Sequence, residues 1–399
     1  FNIGVMYDEG QGVDQDYRQA MTWYLKAAEQ GHTEAQFNIG ILYENGHGVV
    51  QDDREAIRWY LKAAEQGDSE AQFNIGVMYD EGQGVDQDYR QAMTWYLKAA
   101  EQGDSEAQFN IGVMYATGRG VSQDYRQAMT WFLKAAEQGN PKAQSNIGVL
   151  YNEGQGVSQD NREAMKWFLK AAEQGNSIAQ SNIGALYDYG QGVSQDDQEA
   201  MKWYLKAAKQ GHLKAMIRYR KMAKQGDSEA QFNVAVLYNQ GPSVIQDYHQ
   251  AMKWYLKAAE QGHSEAQLSI GVMYEIGQGV TRDHDKAKMW FLTAAEHGNS
   301  QALFWIGLDN KQDRDTPESH QQAMEWLLKA TDQDISEAQY KVGILYEEGH
   351  GVPVSNRNAL RWFLKAAEQG HVEAQYKTGL LFEYFENELD AEYDAEDIE

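Results

Sequence analysis

Apolar and small residues recur along this chain in two alternating patterns, each with helical spacing. In the stretch from Ser105 to Asn140, Ala107, Ile111, Gly112 and Tyr115 fall on one face of a first helix. Ala128, Trp131, Phe132, Ala135 and Ala136 make the buried stripe of a second. Between the two, Gly118-Arg119-Gly120-Val121 breaks the pattern with residues that tolerate positive φ, and Gly139 ends the second helix. Asp104 or Ser105 is placed to cap the first helix, Ser105 with Gln108 as a capping box, and Asp124 to cap the second. Gly112 is costly in a helix interior, which predicts the close approach of a neighbouring helix backbone.

The same order returns every 36 residues. Trp23, Trp59, Trp95, Trp131, Trp167 and Trp203 keep that step, as do Trp254, Trp290, Trp326 and Trp362, and only Trp305 stands outside both series. The 31 residues from Phe1 to Gly31 recur unchanged from Phe73 to Gly103. A period of this size marks one supersecondary unit stacked many times. The Trp series counts ten units. The chain starts inside the first of them, with Phe1 at the place of Phe37 and Phe73, as a piece of a longer protein would. Burying a large side chain contributes roughly 1.5–3 kcal/mol, whereas ordering each residue costs about 1–2 kcal/mol in backbone entropy alone. A lone unit cannot close that gap, so units must stack, and the Trp series is expected in the interior.

The residues from Ala71 to Gly103 closely resemble the Sel-1-like repeat family, a relative of the tetratricopeptide repeat. Ala71, Ile75, Gly76, Tyr79, Gly82, Gly84, Val85 and Asp88 match the first half of its pattern. Ala92, Trp95, Tyr96, Lys98, Ala99 and Ala100 match the second. The resemblance implies an all-α, right-handed α/α solenoid. It also implies an adaptor that assembles protein complexes, on the pattern of most members of the family.

Charge and composition narrow the partners. A net charge of −25 argues against a nucleic-acid backbone, which needs clustered Lys and Arg, and against an anionic membrane surface. With no cysteine, neither a disulfide framework nor a thiolate metal site is possible. No apolar run approaches membrane-spanning length. The absence of cysteine and of glycosylation acceptors favours the cytoplasm or nucleus, with the endoplasmic-reticulum lumen left open. His32, His212, His263 and His371 each follow a helix-ending glycine, far apart along the array, and no histidine pair has metal-site spacing. Asp52 and Asp53 read as helix caps rather than an acid/base pair. No catalytic residues, metal, cofactor or small-molecule substrate are expected.

The period fails in a few places. Leu213 to Lys224 reads as one basic helix that fuses the start of a first helix to the end of a second. The expected organisation is a repeat stack over 1–211, a single-helix joint over 212–227, a second stack over 228–384 and an acidic tail over 385–399. The joint reads equally as a deletion that the stack tolerates. Asp313-Arg314-Asp315 replaces one glycine turn, and Pro242-Ser243 interrupts another. From Glu383 onward there are nine acids, Asp394, Glu396, Asp397 and Glu399 among them, and no base follows Lys377. This run reads as a solvated cap, or alternatively as a docking tail for a basic partner.

First helices carry a recurring polar position at Asn2, Asn38, Asn74, Asn110, Asn146, Asn182 and Asn233, which becomes Ser269, Trp305, Lys341 and Lys377. If the tetratricopeptide arrangement carries over, this position lines a concave groove. It would form an asparagine ladder beside Phe37, Phe73 and Phe109, and then a basic and aromatic stretch. Amides both donate to and accept from a peptide backbone, which suits an extended chain of loose sequence. The competing reading makes the asparagines relics of duplication. The expected function is a non-catalytic scaffold for partner proteins or extended peptides; the alternative is a regulatory segment of a larger enzyme, such as a kinase or ubiquitin ligase.

Overall fold

The computed structural model describes residues 1–241, 245–313, 317–332 and 334–396, with side chains outside 307–319 and 386–396. Pro242, Ser243, Arg314, Asp315, Asp397 and Glu399, singled out above, lie outside the described residues. Among the described residues there are 22 helices and no strand. The fold is an all-α solenoid of helix pairs about 36 residues long.

One pair shows why the sequence folds this way. Helix α7 (Ser105–Thr117) is capped by Asp104, whose carboxylate accepts from the Ala107 N–H at 2.7 Å. Gln108 does not close the expected capping box. It is buried, and its amide reaches the Ala100 carbonyl of the preceding helix at 3.3 Å, which also accepts from the Gly103 N–H at 3.1 Å. Gly118 leaves α7 at φ 74°, and Gly120 follows at φ 70°, where a Cβ would lie only 2.7 Å from the Tyr89 carbonyl oxygen. A side chain is excluded there twice, by conformation and by space. Asp124 then caps α8 (Tyr125–Glu137), accepting from the Arg126 and Gln127 N–H groups.

Inside the pair, a Cβ on Gly112 would lie 2.5 Å from the Phe132 ring. The glycine therefore admits an aromatic side chain, not a helix backbone as expected. Phe132 is 2% exposed, whereas Trp131 is only half-buried. The Trp series lies mostly at the boundary of the core: among its members Trp254 alone is buried, at 5% exposure. Adjacent helical residues point about 100° apart, so Trp and its neighbour cannot both face the first helix. The neighbour takes that place. Trp59 packs instead on the cluster that joins Met21 and Tyr24 of the preceding unit to Ile39 and Leu42 of its own, with the Lys62 ammonium 3.5 Å from its ring centre.

Backbone contacts divide the chain into two compact units, Phe1–Ala207 and Ala208–Glu399. The first holds repeats in which each second helix packs on its own first helix and on the next one. Glutamine pairs join neighbours: the exposed Gln102 donates to the buried Gln72 at 2.9 Å, and the exposed Gln138 to the buried Gln108 at 2.9 Å. The second unit opens with α13 (Leu213–Ala223), which packs on α14 (Ser228–Gln240). Its buried residues Ala215, Met216, Tyr219, Met222 and Ala223 match Ala20, Met21, Tyr24, Ala27 and Ala28 of α2 (Tyr17–Ala28) one for one. Gln231 donates to the Ala223 carbonyl as Gln36 does to that of Ala28. The segment is thus a second helix throughout, with Arg218 at the Trp place, rather than a fusion of two types. Only its cap is of first-helix kind, His212 Nδ1 accepting from the Ala215 N–H at 3.2 Å. At the other end, α22 (Val372–Glu396) runs as one 25-residue helix through the start of the acidic run.

Candidate binding surface

Several of the recurring asparagines lie beside the buried tyrosine of a second helix, and in two units a carboxylate completes a three-part polar contact. In the first unit, the Tyr24 hydroxyl donates to Asp8 at 2.8 Å and accepts from the Asn38 amide. Tyr60 donates to Glu44 at 2.5 Å and accepts from Asn74. Tyr96 takes Asn110 in the same way, and Tyr219 takes Asn233. Burial, first, and the adjoining carboxylates push the Tyr24 and Tyr60 hydroxyls far above their usual range. Tyr255, partnered by Ser269, is raised to about 12, again mainly by burial. In these units the asparagine is half-buried beside a buried hydroxyl, and Asn233 also donates to the Glu229 carbonyl at 2.9 Å.

Two members differ. Phe132 and Phe168 stand where the units just described carry Tyr, so Asn146 and Asn182 face no hydroxyl, and their amides have no hydrogen-bonding partner among the described residues. Ser145 and Ser181 precede them, where Phe37, Phe73 and Phe109 stand in other units. The Ser145 hydroxyl and the Asn152 carbonyl oxygen are buried and unpartnered. Phe73 and Phe109 are partly interior, their rings 5.8 Å from those of Tyr96 and Phe132.

Towards the C-terminus the position changes chemistry with its surroundings. Trp305 stacks on Phe291 at 5.5 Å. Lys341 lies 3.5 Å from Glu337. Lys377 bonds both oxygens of Glu347, at 3.0 and 2.8 Å, and the bond to this carboxylate raises its pKa. Both lysines are thus paired with carboxylates, which offsets the positive character expected of this stretch. Reasoning from the sequence missed the tyrosine hydroxyls. A partial signal was present: Ala116 replaces the acid in the unit that carries Phe132, although Glu275 and Glu347 remain where Phe291 and Phe363 stand.

Among the described residues, no group of three or more His, Asp or Glu side chains is placed to hold a metal ion. No described helix is long and apolar enough to cross a membrane.

The Sel1 repeat model matches ten segments, 1–32, 33–68, 69–104, 105–140, 141–176, 177–212, 228–263, 264–299, 300–335 and 336–371. No curated protein sequence matches the chain significantly. Among solved structures, the chain is similar to a protective antigen of uropathogenic Escherichia coli strains that displays an SLR fold. Identity is 35% over 96% of this chain and 79% of that one, with a TM-score of 0.52. It is also similar to a Sel1 repeat protein from Oxalobacter formigenes, at 32% identity over 65% of this chain and 98% of that one, with a TM-score of 0.51. With ten matched repeats and two such relatives, the chain belongs to the Sel1 repeat family.

Proposed function

We propose that the chain is a non-catalytic scaffold that holds partner proteins, through extended segments, along its first-helix face at Asn146 and Asn182. The observation that carries this reading is the pair of amides without partners in two successive units, beside Ser145 and Ser181. An extended backbone supplies the donors and acceptors such amides lack. Asn38, Asn74, Asn110 and Asn233 serve the fold instead. The net charge of −25 favours protein over nucleic acid as the partner class.

Affinity capture with the intact chain, read by quantitative mass spectrometry, tests the reading against the variant Asn146→Ala/Asn182→Ala. Each lost hydrogen bond is worth roughly 0.5–1.5 kcal/mol. A partner held at this site should therefore weaken several-fold while helical circular dichroism and melting temperature stay unchanged. Capture that is equally strong with the double variant refutes it.

A further inference from the structure

Between Phe1 and Ala207 the chain has sixteen Lys and Arg residues, and fourteen of them occupy only three positions of the second helix. Arg18, Thr22 and Lys26 mark these positions in α2; spaced four apart, they lie in one row along the helix. The six second helices from Tyr17–Ala28 to Asp197–Lys209 carry there Arg, Lys, Thr and a single Gln, all exposed, and no acid. Yet the same compact unit holds thirty Asp and Glu residues. Packing keeps the rows in step. Trp59, Trp95, Trp131, Trp167 and Trp203 each lie on a core cluster that includes the preceding second helix. The lysine three residues after each stands over the indole, 3.5 to 4.3 Å from its ring centre, so it is held in place before any ligand arrives.

The arginines need a further explanation. Arg18, Arg54, Arg90, Arg126 and Arg162 are each the second residue of their helix, where the macrodipole disfavours a cation. Their guanidinium groups have no ion pair or hydrogen-bonding partner among the described residues. In the middle of the row, Arg58, Lys166 and Lys202 pair with Glu55, Glu163 and Glu199, all three bases being well exposed, and a competing carboxylate can replace such partners.

We propose that this basic stripe is a docking surface for an extended acidic segment of a partner protein, crossing successive second helices. A helix with its side chains is about 10–12 Å wide, and an extended chain advances about 3.3 Å per residue. Asp or Glu at every third residue therefore meets a cation on one helix after another. The stripe runs about 12 Å along each helix and is bordered by exposed acids, Asp16 and Glu29 on α2 and Asp124 and Glu137 on α8. A single narrow segment fits between these borders, whereas a nucleic-acid duplex, with a charge every ~1.7 Å, would meet them. The stripe lies on second helices and does not involve Asn146 or Asn182, so it stands or falls without them.

The test is fluorescence anisotropy with the full chain and a labelled synthetic peptide of about eighteen residues, long enough to cross five or six helices. The peptide has Glu at every third position, with Ser and Ala between. Saturable binding is expected, weaker as salt is raised and absent when Gln replaces every Glu. Arg54→Gln/Arg90→Gln/Arg126→Gln should weaken binding about tenfold or more. Its melting temperature should be unchanged or slightly raised, since each change removes a cation from a helix N-terminus. Lys142→Gln, on the first helix Pro141–Glu153, should leave binding as it was. Failure of the peptide to bind, or equal binding by the triple variant, overturns the proposal. So does tighter binding of a single-stranded oligonucleotide or of phosphatidylserine vesicles that the same variant loses.

Discussion

Replacing Tyr60 with Phe isolates one hydroxyl whose surroundings are fully described. Tyr60 is 0% exposed, donates to Glu44 at 2.5 Å and accepts from Asn74. A hydrogen bond to a charged group contributes about 1.5–3 kcal/mol and a neutral one about 0.5–1.5. Glu44 and Asn74 are half-buried, so water recovers part of both once the hydroxyl is gone. The expected net loss is about 1–2 kcal/mol, centred on the second unit. The chain also contains the compensated arrangement, Phe132 with Ala116. Tyr60→Phe combined with Glu44→Ala should therefore cost less than the sum of the single changes, with a coupling of about 1 kcal/mol. Because a repeat array need not unfold in one step, urea melts should be paired with hydrogen exchange resolved to residues 53–65. A single variant as stable as the parent, or costs that simply add, would refute the assignment of the hydroxyl as the centre of the contact.

Phe132→Ala should cost about 3–5 kcal/mol, and Trp131→Ala clearly less because its ring is half-exposed; chemical melts that rank the two in the opposite order would contradict the packing. Burial raises the Tyr255 hydroxyl from an ordinary 10.0 to about 12, so folding favours its protonated form. Its contribution is complete below pH 10 and disappears as pH rises towards 12, and tyrosinate absorbance should grow in step with loss of helix; titration near pH 10 with the helices intact would count against it. Limited trypsin digestion should cut first after the exposed Lys209, where the two compact units meet in sequence; first cuts within the glycine turns would oppose a boundary at that point.

The repeat, the two helices and the glycine turns were legible because they depend on local chemistry that recurs at one spacing. The identity of the core aromatic was not. Trp131 and Phe132 recur with equal regularity, and only the position of Gly112 on the facing helix selects Phe132. The asparagine position stood out as a series, yet its role depends on a hydroxyl fourteen residues earlier on another helix. Tyr or Phe at that earlier place separates asparagines beside a hydroxyl from Asn146 and Asn182, which face none. Leu213 to Ala223 was misread for a related reason. Its first-helix cap at His212 drew attention away from Ala215, Met216 and Tyr219, which carry second-helix packing.

The glutamine pairs and the caps beside them have a bearing on how such chains change over time. The side-chain hydrogen bonds that tie unit to unit in the first compact unit join residues no more than 36 positions apart, as in Gln66 to Gln36 and Lys142 to Glu106. Loop closure over such a span costs the same wherever it occurs in the array, so inserting a copied unit lengthens no existing connection. The search for native contacts stays short-range however many units are present. The unchanged segments Phe1–Gly31 and Phe73–Gly103 fit that freedom: a gene can gain a unit by slippage and the new protein still folds by the same local steps.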